Sequence, residues 1–141
     1  MRKLMVILVA VVAGFAHAGP AADAAAHYEV VQLKGQTCRA QYELGALRAQ
    51  NGSTTAAEAY KEFLGCKNAA VNEAKATYGK VLGKLRTTDG KKALKDYQVA
   101  LMSYLEGIEP KNGETNGQYS GRMAALEGAM SSAWQRLQLE L

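Results

Sequence analysis

The chain has little of what catalysis and metal binding most often rest on. Its 141 residues include two cysteines and two histidines, and one histidine, His17, lies inside a leader-like N-terminus, which leaves His27 for the remainder. There is no C-x-x-C and no C-x-x-C-H, so metal and haem readings lose their usual ligand patterns. A nucleophile needs a base placed to activate it, and His27 stands beside Tyr28 with no identifiable acid partner; it reads as a surface residue. Glu58, Glu62 and Glu73 are interleaved with Lys61, Lys67 and Lys75 and read as ordinary exposed ion pairs. The expectation is therefore no enzyme, no cofactor and no metal site. No strand-like alternation of apolar and polar residues occurs anywhere, and no apolar run reaches the ~20 residues that a membrane span needs.

What is present begins with Met1-Arg2-Lys3, the apolar run LMVILVAVVAGF and the small residues AHA ending at Ala18. That order, basic then apolar then small, is a secretory signal with its cut after Ala18. No cysteine follows the apolar run, so a lipid anchor has no acceptor there. The expected domains are a removed signal peptide, 1–18, and a single helical domain, 19–141, in the periplasm or the medium. The whole chain carries a formal charge of +4, and loss of Arg2 and Lys3 lowers it by two. Neither that balance nor export suggests nucleic acid as a partner.

In an oxidising compartment the lone pair Cys38 and Cys66 reads as a disulfide. The stretch AQNGSTTAAE, residues 49–58, lies midway between them and contains Asn51-Gly52-Ser53, a helix breaker. Helices over residues 24–50 and 56–86, antiparallel about that bend, place both sulfurs about 20 Å from the turn at the 1.5 Å rise per residue. Matched height is necessary, because a disulfide tolerates only ~4.4 to 6.8 Å between Cα atoms.

Periodicity supports that layout. Ala57, Tyr60, Leu64, Val71, Ala74, Tyr78, Val81 and Leu85 recur at steps of three and four along the second helix, with Cys66, Phe63 and Ala70 beside that face. Thr55 with Glu58 forms a capping box at its start. The first helix carries two stripes, Tyr28, Val31, Cys38 and Tyr42 on one and Val30, Leu33, Ala40, Leu44 and Leu47 on the other, and is expected to be covered on both sides. After a turn at Thr87–Gly90, a third helix shows Leu94, Tyr97, Leu101, Tyr104 and Ile108 in the same repeat. The polar segment 109–117 is the best candidate for a mobile loop. A second capping box, Thr115 with Gln118, opens a fourth helix striped by Tyr119, Met123, Leu126, Met130, Ala133 and Leu137. The predicted fold class is all-α, an antiparallel four-helix bundle with one intrachain disulfide linking helices 1 and 2.

Two groups of residues are candidate sites. Lys80, Lys84, Arg86, Lys91, Lys92 and Lys95 surround the turn between the second and third helices, a patch suited to anionic envelope lipids, glycans or an acidic partner. Tyr60, Tyr78, Tyr97 and Tyr104 are the candidate edge of a cavity for a ligand, or else a core edge with hydroxyls reaching water.

The run CKNAAVNEAKATYGKVLGKLRTTDGKKALKDYQVALMSYL carries a cysteine ahead of Tyr78-x-x-Val81-Leu82-x-x-Leu85, then Ala93-Leu94, Gln98, Leu101 and Tyr104. In this it resembles the small exported helical proteins related to the LprI-type lysozyme inhibitors. It departs from them at Val71 and Ala74-Lys75, where the family has Asp and Leu-Asn, and in lacking a tryptophan near Leu101 and a late cysteine. The resemblance implies binding of lysozyme-like hydrolases in the cell envelope. Together these readings predict a non-catalytic periplasmic or secreted binding protein whose partner is an envelope protein, met at the basic turn or the 109–117 loop. A carrier or sensor of a small apolar or anionic ligand, and a structural or assembly protein of the envelope, are the alternatives. Oligomeric state is not legible.

Overall fold

Threonines with a partner three residues on set most of the helix starts. In the computed structural model, which describes residues 19–141, the helices are α1 (Pro20–Gln50), α2 (Ala56–Leu82), α3 (Thr88–Gly107) and α4 (Asn116–Gln138). The signal-peptide reading of 1–18 lies outside the described residues. Thr55 Oγ1 accepts from the Glu58 N–H at 3.1 Å while the Glu58 carboxylate accepts from the Thr55 N–H at 3.0 Å. Thr115 and Gln118 repeat the arrangement at the start of α4. Each box satisfies backbone donors that a first helical turn leaves unpaired. Between α1 and α2 the chain reverses through Asn51 and Gly52, whose φ of 79° favours glycine, and Asn51 Oδ1 accepts from the Ser53 N–H.

The result is an antiparallel four-helix bundle, with α1 packed on α2 and α3 on α4, and no strand among the described residues. A disulfide joins Cys38 of α1 to Cys66 of α2 with Cα atoms 5.5 Å apart. No described helix is long and apolar enough to cross a membrane. The core is drawn from all four helices and includes Tyr28, Val31, Phe63, Val81, Leu94, Leu101, Met123 and Leu137. At its centre Tyr28 meets Tyr97 edge-on at 4.8 Å between ring centroids, and Tyr97 lies 5.1 Å from Trp134. The two buried hydroxyls have partners: Tyr28 donates to Gln98 Oε1 at 3.0 Å, and Tyr97 accepts from Gln32 Nε2 at 2.5 Å. Burial holds both phenols well above their ordinary titration range.

Four expectations are corrected. First, α2 stops at Leu82 and the turn runs from Gly83 to Arg86, while Thr88–Gly90 belongs to α3. Thr87 is the cap, accepting from the Gly90 N–H at 2.9 Å; Leu85 still reaches the core from the connection. Second, the buried line of α2 runs through Ala59, Phe63, Ala70, Ala74, Thr77 and Val81, and Tyr60 and Ala57 turn outward. The cause is close packing: a Cβ on Gly45 of α1 would stand 3.0 Å from the Cβ of Ala59, so small residues face one another across the hairpin. Third, α1 is covered on one side only. Its inner line passes through Tyr28, Val31, Gly35 and Cys38, whereas Val30, Leu33, Leu44 and Leu47 keep 59, 64, 58 and 57% of their accessibility. Fourth, the polar 109–117 segment is fastened to its neighbours, as detailed below.

Of the helical glycines, Gly35 sits beneath Leu105 and Tyr104, where a Cβ would come within 2.9 Å of Leu105 Cδ2. Gly65, Gly79, Gly121 and Gly128 meet nothing within 4 Å; nothing in the structure explains them.

The disulfide closes a loop of 28 residues, which on loop-closure entropy stabilises the fold by about 3 to 4 kcal/mol. The double variant Cys38→Ala/Cys66→Ala is expected to lose that amount in urea unfolding while keeping its helical circular dichroism.

Candidate functional site

Charge is distributed differently at the two ends of the bundle. One end gathers the connections 51–55 and 108–115; the other gathers the α2–α3 connection, the start of α1 and the end of α4.

At the first end several charges are consumed internally, although Lys61 and Lys111 form no ion pair among the described residues. Arg122, in the second turn of α4, donates from Nε and Nη2 to the two carboxylate oxygens of Glu114, each at 2.7 Å. It also donates to the carbonyls of Gly107 at 2.6 Å and Glu109 at 3.2 Å. Gly107 makes this reach possible, since a Cβ there would collide with Leu126 and stand 3.0 Å from Arg122 Nη1. The Glu109 carboxylate accepts from Tyr60 Oη at 2.5 Å and Lys67 Nζ at 2.8 Å, which ties the loop to α2 as well. Tyr119 donates to the Ile108 carbonyl at 3.0 Å. The Arg122 hydrogen bonds, with that of the Lys111 N–H, hold the Glu114 carboxyl down at about 2. Hydrogen bonds from Lys67 and Tyr60 likewise depress Glu109. Open clefts of about 440, 540 and 490 Å³ surround Tyr42 at this end, and Tyr42 packs on Phe63 at 5.1 Å.

At the opposite end the cations are not consumed. Lys80 lies in the last turn of α2, Lys84 and Arg86 in the connection, and Lys91, Lys92 and Lys95 in the first two turns of α3. All six are exposed, and among the described residues the ion pairs involve other basic residues: Lys34, Arg39, Arg48, Lys67 and Arg122. Lys91 and Lys92 stand near the positive end of the α3 dipole, an arrangement that disfavours cations and to which Asp89 offers only a partial counterweight. Two grooves flank the patch. One, of about 550 Å³, is lined by Pro20, Lys84, Arg86, Thr87, Glu140 and Leu141. The other, of about 270 Å³, is lined by Asp89, Lys92, Asp96, Arg136 and Leu139. Leu139 keeps 86% of its accessibility, an apolar side chain standing among charges.

The basic candidates are therefore brought together and the tyrosine candidates are not. Tyr97 and Tyr104 are fully buried core residues, Tyr78 is half-buried, and Tyr60 is exposed at the far end beside Glu109. They do not edge one cavity, because α3 buries Tyr97 and Tyr104 in the core, Tyr78 packs at the margin of that core, and Tyr60 stands on the outward face of α2. Burial raises Tyr104 to about 12, with the nearby Glu127 carboxylate adding to the shift. Arg122, Glu114, Glu109 and Leu139 were not singled out from sequence. The signal for the first pair was an acid just ahead of the Thr115 cap and an arginine two turns beyond it. Among the described residues no three His, Cys, Asp or Glu side chains are grouped to hold a metal ion.

The Arg122 clamp has a measurable consequence. In Arg122→Ala, amide protection across 108–115 is expected to fall by at least ~10-fold in hydrogen exchange while core amides of α3 are unchanged. Because the folded carboxyl of Glu114 titrates below its ordinary 4.5, its contribution is complete above about that pH. It fades as pH falls through the window down to about 2, where the loop is expected to lose protection ahead of the core.

No protein-family model matches the chain, and no curated protein or solved structure matches it, so the functional reading rests on the residues themselves.

Proposed function

We propose that this is a non-catalytic exported helical binding protein whose basic α2–α3 end grips an acidic face of another envelope protein. The observation that carries the reading is the set of six exposed cations, Lys80, Lys84, Arg86, Lys91, Lys92 and Lys95, with no internal acid paired to any of them among the described residues. Elsewhere in the bundle Lys34, Arg39, Arg48, Lys67 and Arg122 are paired within the chain, and Lys61, Lys75, Lys111 and Arg136 form no ion pair among the described residues. What sets the six apart is that they are unpaired and gathered around one connection. A surface that keeps its charge unspent attracts and orients a partner of opposite sign. The exposed Leu139 beside it supplies an apolar anchor of the kind that protein interfaces bury.

Export is supported by the basic-apolar-small order of residues 1–18 and by a disulfide, which persists in oxidising compartments. The resemblance to LprI-type inhibitors makes a cell-wall hydrolase such as lysozyme the first partner to try. A carrier role has less support, since Tyr97 and Tyr104 fill the core instead of lining a space for a ligand.

The test is capture from envelope extract by the oxidised protein, paired with a lysis assay in which a lysozyme-like hydrolase is titrated against it. Reversal of Lys84, Arg86, Lys91 and Lys92 to Glu is expected to cut capture of the specific partner by at least ~10-fold without changing thermal unfolding. Raised salt is expected to slow association in the parent protein and not in the variant. Equal capture by parent and variant would sink the proposal.

A further inference from the structure

We infer that the outward face of α1 is a self-association seam that pairs two copies of this chain in parallel. The inference stands apart from the proposed function and starts from the corrected stripe of α1. Val30, Leu33, Thr37, Ala40, Leu44 and Leu47 are all exposed and follow one another at steps of three, four, three, four and three. That is a heptad repeat, the period by which one helix packs along another for several turns. The even exposure of its four large side chains shows that the line stays on the solvent side from end to end. The one polar member is already satisfied, because the Thr37 hydroxyl donates to the Leu33 carbonyl at 2.9 Å and so presents its methyl group outward.

The residue types and flanking charges select the occupant. With Val30, Thr37 and Leu44 at the first core position of each heptad and Leu33, Ala40 and Leu47 at the second, two β-branched residues occupy the first position. Two leucines occupy the second, a pattern that favours two parallel strands. One flank of the seam is Lys34, Gln41 and Arg48; the other is Glu29, Gln36 and Glu43. In a parallel, in-register pair these flanks meet as Glu29 with Lys34, Gln36 with Gln41, and Glu43 with Arg48, on both sides of the two-fold axis. An antiparallel pair would set the basic flank against itself. Lys34 and Arg48 are already steered by Glu73 at 3.0 Å and Glu62 at 2.8 Å, and each retains further N–H donors for a second acid. Glu43 is engaged by Arg39 Nε at 2.9 Å through Oε1 and keeps its other carboxylate oxygen for a second donor. An acidic flank also makes the stripe a poor match for an anionic lipid surface, which favours basic margins.

The four large side chains leave on the order of 100 Å² each in water, and with the flanks two copies bury roughly 1,200 Å² in total, the low end of specific interfaces. A dissociation constant in the range of about 10 to 100 μM is expected. Parallel pairing also sets both basic α2–α3 ends on the same side of the dimer, since each α1 starts at that end.

The test is sedimentation equilibrium of the oxidised protein from about 1 μM to about 0.5 mM. A monomer–dimer equilibrium is expected, with Leu33→Glu/Leu44→Glu weakening it at least ~100-fold while thermal unfolding is unchanged. Glu29→Lys and Lys34→Glu are each expected to weaken dimerisation ~3- to 10-fold, and their combination to restore it. A protein that stays monomeric throughout the range overturns the inference, including one that instead sediments with anionic vesicles. So does a dimer indifferent to Leu33→Glu/Leu44→Glu. A dimer tightened by Lys34→Glu overturns the parallel arrangement.

Discussion

The bond between Cys38 and Cys66 is the constraint around which the bundle is arranged, because it fixes the rotation of α1 as well as its position. Once Cys38 faces α2, Gly35 and Val31 are carried inward with it, one and two helical turns away, and Tyr28 follows. Neighbouring residues on an α-helix are separated by about 100°. Val30, adjacent to the buried Val31, is thereby turned toward solvent, and Leu33, Leu44 and Leu47 with it. The same rotation on α2 puts Phe63 and Ala70 inside and Tyr60 outside.

Polar residues divide along the bundle in a way that follows from reach. At the end holding 108–115, long side chains from α2 and α4 find loop carbonyls and carboxylates within 3.2 Å, so Arg122, Lys67 and Tyr60 become internal fasteners. At the other end the cations stand on a turn and at the start of a helix, and although Asp89, Asp96 and Glu140 line the same grooves, none of these acids forms an ion pair with them among the described residues. One end is thus organised to stay shut and the other presents charge.

Much of the secondary structure was legible because capping chemistry is local. Thr55 with Glu58 and Thr115 with Gln118 marked their helices correctly. Thr87 did not, since its partner is the Gly90 backbone with no side chain to complete a box, and Thr-Thr-Asp-Gly reads as a turn. The basic cluster was legible because six cations lie within sixteen positions of one connection. The tyrosines were not, because large residues dominate an apolar pattern while small ones decide how two helices approach. Ala59 against Gly45 outweighs Tyr60 in setting which side of α2 is buried.

The sequence by itself determined how many helices there are, where most of them begin, and that Cys38 and Cys66 stand at equal height, because rise per residue and capping depend on neighbours a few positions away. Only the tertiary structure decided which of two apolar stripes on α1 is buried, which line of α2 meets it, and that Arg122 closes over Glu114. Those outcomes depend on the fit of volumes and on reach between segments far apart in the chain, which no single helix encodes.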